Sequence, residues 1–296
     1  MLNRRLEHKP GAIFCAIFAA ALYALNAPIS KLMLQNVPPT MMAGLLYLGA
    51  GIGMAGLGLV RSKTGNGGQE ARLTKKELPY TLGMVALDIA APIFLMIGLT
   101  RTTAANASLL NNFEIVATSI IALMIFKEKI GKKLWIAIGL ITLSSILLSV
   151  EDVNSFQFSF GSLFVLAACV CWGMENNCTR CLSKSDPLEI VVIKGFGSGI
   201  GSILIGLIVG ESVPAWSDML KILLLGFVSY GLSIYFYVYA QRDLGAAKTS
   251  AYYAIAPFIG VMLSLIIFRK IPGGLFFIAL AIMIAGTWLV NRDQTE

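Results

Sequence analysis

Long apolar runs separated by short polar gaps dominate this chain. Ten of them approach the roughly 20 residues that a helix needs to cross a bilayer, namely 11–33, 39–60, 78–100, 103–126, 132–150, 160–183, 187–209, 218–240, 246–268 and 273–291. The longest gap, residues 61–77, is polar and contains three glycines. The pattern therefore predicts an all-α integral membrane protein with ten transmembrane helices.

The apolar pattern also contains an internal repeat. The glycine-rich stretch Leu48–Gly53 returns as Phe196–Gly201, and similarity continues along both halves. We predict two five-helix repeats, residues 11–150 and 160–291. An odd number of spans turns the second copy upside down, and inverted repeats are typical of secondary transporters. The repeated glycines predict close helix packing.

Composition and charge placement agree with a membrane protein. Apolar residues make up 57% of the chain, charged residues only 13%, and the mean hydropathy is +0.78, whereas a soluble domain has about 25% charged residues. With the N-terminus in the cytoplasm, 17 of the 23 lysines and arginines lie inside and 5 outside, with Lys194 in a span. This bias predicts that both termini are cytoplasmic. We expect a lipid bilayer, and no nucleic acid, as the partner of the basic surface.

The sequence offers little for metal or nucleotide chemistry. Cys178 and Cys181 have a metal or redox spacing, but the only histidine is His8 in the N-terminal tail. We expect these cysteines to pack between helices, and we predict no metal and no cofactor. There is no Walker motif to support primary active transport, and the single histidine rules out the His-Glu-x-x-His motif of zinc proteases.

Four charged residues lie deep inside predicted spans, well away from the span ends: Asp88, Glu114, Glu175 and Lys194. A charge at mid-bilayer costs about 2.5–3.5 kcal/mol on insertion scales. Glu175 and Lys194 lie at matched depth with opposite sign, which predicts an ion pair. The pair either neutralises two buried charges or places Glu175 in a cavity beside Asn176.

Asp88 and Glu114 lie at similar depth on consecutive helices, with no cation nearby in sequence. Two carboxylates in a low-dielectric interior do not both ionise easily. We therefore predict Glu114 as the principal coupling or substrate-binding acid, assisted by Asp88. The alternative is that each stays neutral and is hydrogen-bonded by Asn111, Asn112 and nearby hydroxyls.

Other polar and aromatic residues complete the predicted site. An aromatic cavity with acids suits a flat or cationic substrate, although packing alone also explains aromatic side chains. Prolines inside spans predict kinks that border such a cavity. The remaining candidate site residues are Asn26, Trp172, Tyr230, Tyr252 and Tyr253, and the prolines are Pro28, Pro92 and Pro257.

Several of these motifs resemble the drug/metabolite transporter superfamily, specifically its EamA-type ten-helix members. The Trp-Gly-x-Asn-like signature of the first helix of each repeat is matched by Trp172–Asn176, while Leu22–Asn26 keeps only the Asn. The fourth helix ends Phe126–Lys129 where the family often has Gly-Glu, and Pro257 matches the fourth-helix proline. The resemblance implies a central cavity lined by the first, third and fourth helices of each repeat.

We therefore predict a secondary transporter that moves a small metabolite, amino acid or drug across the cytoplasmic membrane by alternating access. The resemblance favours an exporter, and the buried acids allow proton coupling. An importer or facilitator of the same fold stays open, as do a channel and an intramembrane enzyme with a carboxyl dyad. Ten spans can complete an internal two-fold axis, so a monomer suffices, and a dimer is not excluded.

Overall fold

A computed structural model describes residues 10–63, 73–127, 130–152, 157–182, 185–244, 249 and 252–294. These residues are almost entirely helical. The helices are α1 (Pro10–Ala24), α2 (Asn26–Met33), α3 (Pro39–Lys63), α4 (Leu78–Arg101), α5 (Ala104–Leu110), α6 (Phe113–Phe126), α7 (Lys132–Ser149), α8 (Phe160–Leu182), α9 (Pro187–Ile208), α10 (Trp216–Gly226), α11 (Ser233–Leu244), α12 (Ala256–Phe268) and α13 (Gly274–Gln294). A π-helix, Phe227–Leu232, joins α10 to α11.

Seven helical segments of the described chain are long and apolar enough to cross a membrane: Gly11–Met33, Pro39–Lys63, Leu78–Arg101, Ala104–Ile125, Lys132–Ser149, Leu188–Ile208 and Trp216–Tyr237. Shorter apolar helices follow at Ala256–Phe268 and Gly274–Val290. The predicted sixth span is helical as α8, but Glu175, Asn176 and Arg180 reduce its hydropathy. The helical membrane fold is thus confirmed, while the count of ten inverted spans stays a prediction. Part of the predicted ninth span lies outside the described residues.

One departure from an all-α fold lies between the predicted repeats. Helix α7 ends at Ser149, and the strands β1 (Val150–Asp152) and β2 (Gln157–Phe158) pair in an antiparallel manner. The prediction carried the fifth span to residue 150 and contained no strand. An apolar run does not distinguish the last turn of a helix from the start of a short strand.

Three helical rods are interrupted near their middle. The first breaks at Leu25 between α1 and α2, and another breaks at Asn111–Asn112 between α5 and α6. A third turn, at Ala254–Ile255, precedes α12. Two of these breaks are close to Pro28 and Pro257, as predicted. Pro92 behaves differently, because α4 continues through it.

Glycines bring α3 and α9 into backbone contact. A Cβ atom on Gly51 would lie 2.9 Å from the carbonyl carbon of Gly195, and one on Gly199 would lie 2.6 Å from the Leu48 nitrogen. Any side chain at these positions would therefore push the two helices apart. The close packing predicted from the repeated glycines is confirmed.

Polar contacts hold α3 and α9 at both ends. The Glu211 carboxylate accepts hydrogen bonds from the backbone N–H groups of Thr40 (3.1 Å) and Met41 (2.8 Å) in the first turn of α3. At the opposite end, Arg61 lies 3.7 Å from Asp186, the N-cap of α9. A carboxylate at a helix N-terminus satisfies N–H groups that have no partner within the helix.

Two helices end in the same unusual backbone conformation. Lys127 after α6 has φ +52°, and Arg269 after α12 has φ +51°. Both are left-handed C-caps, in which glycine is the usual residue.

The packing of α8 and α9 positions the buried polar residues. Helix α8 packs against α4 and α6, while α9 packs against α3 and α4. Large side chains that are almost fully buried fill the neighbouring core, among them Met41, Met42, Leu46, Leu95, Met96 and Leu99. Asp88 of α4, Glu175 of α8 and Lys194 of α9 therefore meet inside the protein.

Candidate functional site

Lys194 on α9 bridges two carboxylates on two other helices. Its Nζ lies 2.9 Å from Glu175 Oε1 on α8 and 3.2 Å from Asp88 Oδ2 on α4. The side chains are 13% (Lys194), 3% (Glu175) and 0% (Asp88) exposed. The predicted Glu175–Lys194 ion pair is present. We call these three residues the charged triad.

The structure gives the two predicted acids, Asp88 and Glu114, different partners. Asp88 contacts a cation, Lys194, which is distant in sequence, and Glu114 has a different partner. The prediction matched the two acids by depth along the membrane. Depth does not specify which helix faces meet, and α9 carries Lys194 to α4.

Tyr47 connects the triad to the aromatic candidates. Its hydroxyl donates a 2.9 Å hydrogen bond to Asp88 Oδ1, and Trp172 Nε1 donates to the same hydroxyl at 3.4 Å. Sequence reasoning missed Tyr47, because it lies in the apolar run before the repeated glycines. The one available signal was its replacement by Gly195 in the second repeat copy.

Glu114 lies in the first turn of α6, directly after the break between α5 and α6. Asn176 Nδ2 on α8 donates a 2.6 Å hydrogen bond to Glu114 Oε1 and also lies 3.3 Å from Thr118 Oγ1. Glu114 is partly exposed. Within the described part of the chain, no lysine or arginine forms an ion pair with it. Glu114 is therefore a partly exposed acid whose recorded partner is an amide, Asn176, and not a cation among the described residues.

Four tyrosines and an asparagine form an aromatic group beside the triad. Asn26 Nδ2 donates a 2.9 Å hydrogen bond to the Tyr230 hydroxyl. The Tyr230 ring lies 5.0 Å from the Tyr47 ring and 5.9 Å from the Tyr23 ring, which in turn lies 5.9 Å from Tyr253. The structure thus brings Asn26, Tyr230 and Tyr253 together, as the sequence predicts, through Tyr23, which was not predicted.

The remaining candidates lie at the edges of this group. Asn112 Nδ2 bonds to the Leu109 carbonyl at 3.3 Å, so it stabilises its own turn. Asn111 is the C-cap of α5, and its Oδ1 is buried without a hydrogen-bond partner in the described chain. Tyr252 is half-buried and makes no ring contact with the group among the described residues. Cys178 packs 3.3 Å from the position of a Cβ on Gly83, consistent with a packing role.

The arrangement can bind and neutralise charge inside a membrane protein. It contains three carboxylates and one lysine, an aromatic wall, and helix ends created by the breaks. Such groups at interrupted helices are typical of substrate and ion sites in transporters.

Comparisons with known proteins agree with this arrangement. The model of the EamA-like transporter family matches residues 10–150 and 159–292. An uncharacterized transporter of Methanothermobacter thermautotrophicus is 26% identical over 270 residues, covering 86% of this chain and 78% of the relative. The uncharacterized inner membrane transporter YedA of Escherichia coli K12 is 20% identical over 293 residues, covering 95% and 91%.

The likeness extends to a solved structure. One crystal structure superposes with a TM-score of 0.67 at 19% sequence identity, covering 94% of both chains. At this identity, the superposition shows that the fold is shared.

Proposed function

Because this chain belongs to the EamA-like transporter family, we propose that it is a secondary transporter which exports a small organic molecule across the cytoplasmic membrane by alternating access, coupled to protons. The chain is an integral membrane transporter and not an enzyme. The substrate class, the outward direction and the proton coupling are our proposal.

For the transport cycle we propose ten spans in two inverted repeats, residues 11–150 and 160–291, with both termini in the cytoplasm. Two features at equivalent positions support this. The break at Asn111–Asn112 matches the turn at Ala254–Ile255 to within a residue, and the left-handed cap at Lys127 matches that at Arg269. Helix pairing also agrees, because α8 packs on α4 as α1 packs on α11. Two such halves can rock about a central site.

The single observation that carries the mechanism is the environment of Glu114. The triad has its own cation, whereas Glu114 accepts a hydrogen bond from Asn176 and forms no ion pair among the described residues. An acid in this position can hold a proton in one state and a cationic group in another. We therefore propose Glu114 as the coupling acid and Asp88 as part of its supporting network.

The aromatic group defines the substrate chemistry that we propose. Tyr23, Tyr230 and Tyr253 present ring faces and hydroxyls beside buried acids. Aromatic faces attract cations, and more strongly where water is excluded. Small organic cations and zwitterions, including amino acids, fit this surface best.

The test is counterflow in liposomes that contain the purified protein. A thermal-shift screen of metabolites and drugs first identifies a ligand, and labelled ligand is then exchanged at several pH values. We expect Glu114→Gln to lower exchange at least about tenfold and to remove its pH dependence. Asp218→Asn, which changes an acid paired with Lys221 on the protein surface, should retain both.

Three outcomes would contradict the proposal. Normal, pH-dependent exchange by Glu114→Gln removes Glu114 from the mechanism. Continuous conduction in a planar bilayer, without saturable counterflow, identifies a channel. Accumulation driven by an inward proton gradient, but not by an outward one, in right-side-out vesicles indicates proton symport and assigns net transport in the opposite direction.

A further inference from the structure

A small cleft lies where three interrupted helices meet. It is lined by Ala24 at the end of α1, Ser108 and Asn111 at the end of α5, and Pro257 and Gly260 in α12. These elements come from both predicted repeats. The cleft is separate from the charged triad, whose members do not line it.

Two of the residues that line this cleft carry side-chain oxygens without hydrogen-bond partners in the described chain. Ser108 Oγ and Asn111 Oδ1 are buried, with residue exposures of 3% and 9%, and neither has a hydrogen-bond partner in the described chain. Because Pro28 has no N–H, the Ala24 carbonyl lacks the donor that an intact helix would provide. Buried polar atoms are usually satisfied, so the two unpartnered side-chain oxygens indicate that the cleft has an occupant.

Gly260 leaves space beside two of these oxygens, those of Ser108 and Ala24. A Cβ atom built on Gly260 would lie 2.8 Å from Ser108 Oγ and 3.5 Å from the Ala24 carbonyl oxygen. Any larger residue would occupy this point. The nearby Asn26 does not compete for it, because its Nδ2 donates to Tyr230 and its Oδ1 accepts from Ser30.

The chemistry of these atoms selects a positive occupant. A carbonyl and an amide oxygen only accept hydrogen bonds, and a hydroxyl can accept as well. The carboxyl end of a helix carries partial negative charge, and α1 ends here. Carbonyl oxygens at broken helices bind cations in membrane transporters.

We propose that this cleft binds a small monovalent cation, either the ammonium group of the transported substrate or Na⁺. Its purpose rests on the proposed transport function, but cation binding is measurable without transport. Glu114 follows Asn111 by three residues and supplies negative charge close in sequence. Substrate or coupling ion would thus be held next to the proposed coupling acid.

The experiment is a thermal-stability titration of the purified full-length protein. The added salt is NaCl or methylammonium chloride, with choline chloride keeping ionic strength constant. A ligand that binds only the folded state raises Tm in a saturable manner. We expect such a rise with at least one of the two cations in the wild-type protein.

Point variants test whether the cation binds in this cleft. Ser108→Ala and Gly260→Ala should each weaken the apparent affinity about tenfold or more, because one removes an oxygen and the other fills the gap. Asn111→Asp should strengthen it, since a carboxylate replaces an amide of the same shape. Gly139→Ala is the matched control, because nothing lies within 4 Å of a Cβ at that position.

Each outcome is decisive for the cleft. A rise with methylammonium alone identifies the substrate's ammonium group, and a rise with Na⁺ alone identifies a coupling ion. A rise with both indicates an unselective cation site. No saturable rise, or an equal rise in the Ser108 and Gly260 variants, overturns the proposal. Saturable cation binding together with normal, pH-dependent counterflow by Glu114→Gln would refute the proposed coupling mechanism and leave the cleft proposal intact.

Discussion

Replacing Lys194 by Met removes the only cation that the structure places beside Asp88 and Glu175 among the described residues. The methionine side chain has nearly the same length, so packing is largely kept. The two carboxylates would remain buried, with 0% and 3% of their side chains exposed. We expect a large loss of stability.

The size of the effect follows from the two contacts. At separations of 3.2 Å and 2.9 Å, each attraction is about 5 kcal/mol with an effective dielectric constant of about 20. Desolvation of the charges opposes this attraction, and breaking a buried pair by removing one partner costs about 3–5 kcal/mol. Native proteins are stable by about 5–15 kcal/mol. Lys194→Met should therefore remove a large fraction of the total stability.

A charge-neutral variant separates lost attraction from lost packing. In the triple variant Asp88→Asn, Glu175→Gln, Lys194→Met, no charge of the triad remains buried, and the amide oxygen introduced by Asp88→Asn can still accept from the Tyr47 hydroxyl. Replacing a whole buried ion cluster by neutral groups is often harmless. We expect the triple variant to recover most of the stability that Lys194→Met loses.

The assay is the fraction of monodisperse protein that survives heating, followed by counterflow on the surviving material. Lys194→Met with wild-type stability would refute the electrostatic argument, and so would a triple variant less stable than Lys194→Met. If the triple variant transports normally, the triad is structural. If it is stable but inactive, the triad takes part in the transport cycle.

Three further predictions concern helix ends, helix packing and the surface. Glu211→Gln keeps one acceptor for the first turn of α3 but loses the charge, so the free energy of unfolding should fall by about 1 kcal/mol, measured as a lower Tm. Gly51→Val should prevent folding, because its Cβ would lie 2.9 Å from Gly195, whereas Gly56→Val has nothing within 4 Å and should yield normal amounts of monodisperse protein. Lys221→Ala should change stability by less than about 1 kcal/mol, because the pair it forms with Asp218 is exposed; a larger shift in Tm would contradict this.

Hydropathy predicted the helices well because lipid imposes a simple rule. Each backbone polar group in the membrane needs an internal partner, so apolar runs become helices. Prolines show the limit of this rule. The helix breaks next to Pro28 but continues through Pro92, because neighbouring contacts can compensate for one lost hydrogen bond.

Partners across helices were harder to predict than the helices. Glu175 and Lys194 were matched correctly because they lie on consecutive spans at equal depth. The contact of Asp88 with Lys194 was not predicted, since it depends on how α4 is rotated against α9. Apart from its mismatch with Gly195, nothing in the sequence indicated that Tyr47 belongs to the site. A tyrosine in an apolar run is indistinguishable from a lipid-facing or core residue.

The contact between Arg292 and Trp288 near the end of α13 is of the kind found where a helix leaves a bilayer. Arg292 lies 4.4 Å from the Trp288 ring centre near the end of α13. Aromatic and basic residues concentrate where a helix leaves the bilayer. This pair therefore marks a membrane boundary for the last helix.

The left-handed caps at Lys127 and Arg269 offer a way to make the purified protein more stable. A residue with a Cβ in this conformation carries about 1–2 kcal/mol of backbone strain that glycine does not have. Both positions terminate helices, where the greater freedom of glycine does little harm. The chain thus holds two removable sources of strain, and Lys127→Gly together with Arg269→Gly offers a route to a preparation that withstands longer crystallisation or grid-freezing trials.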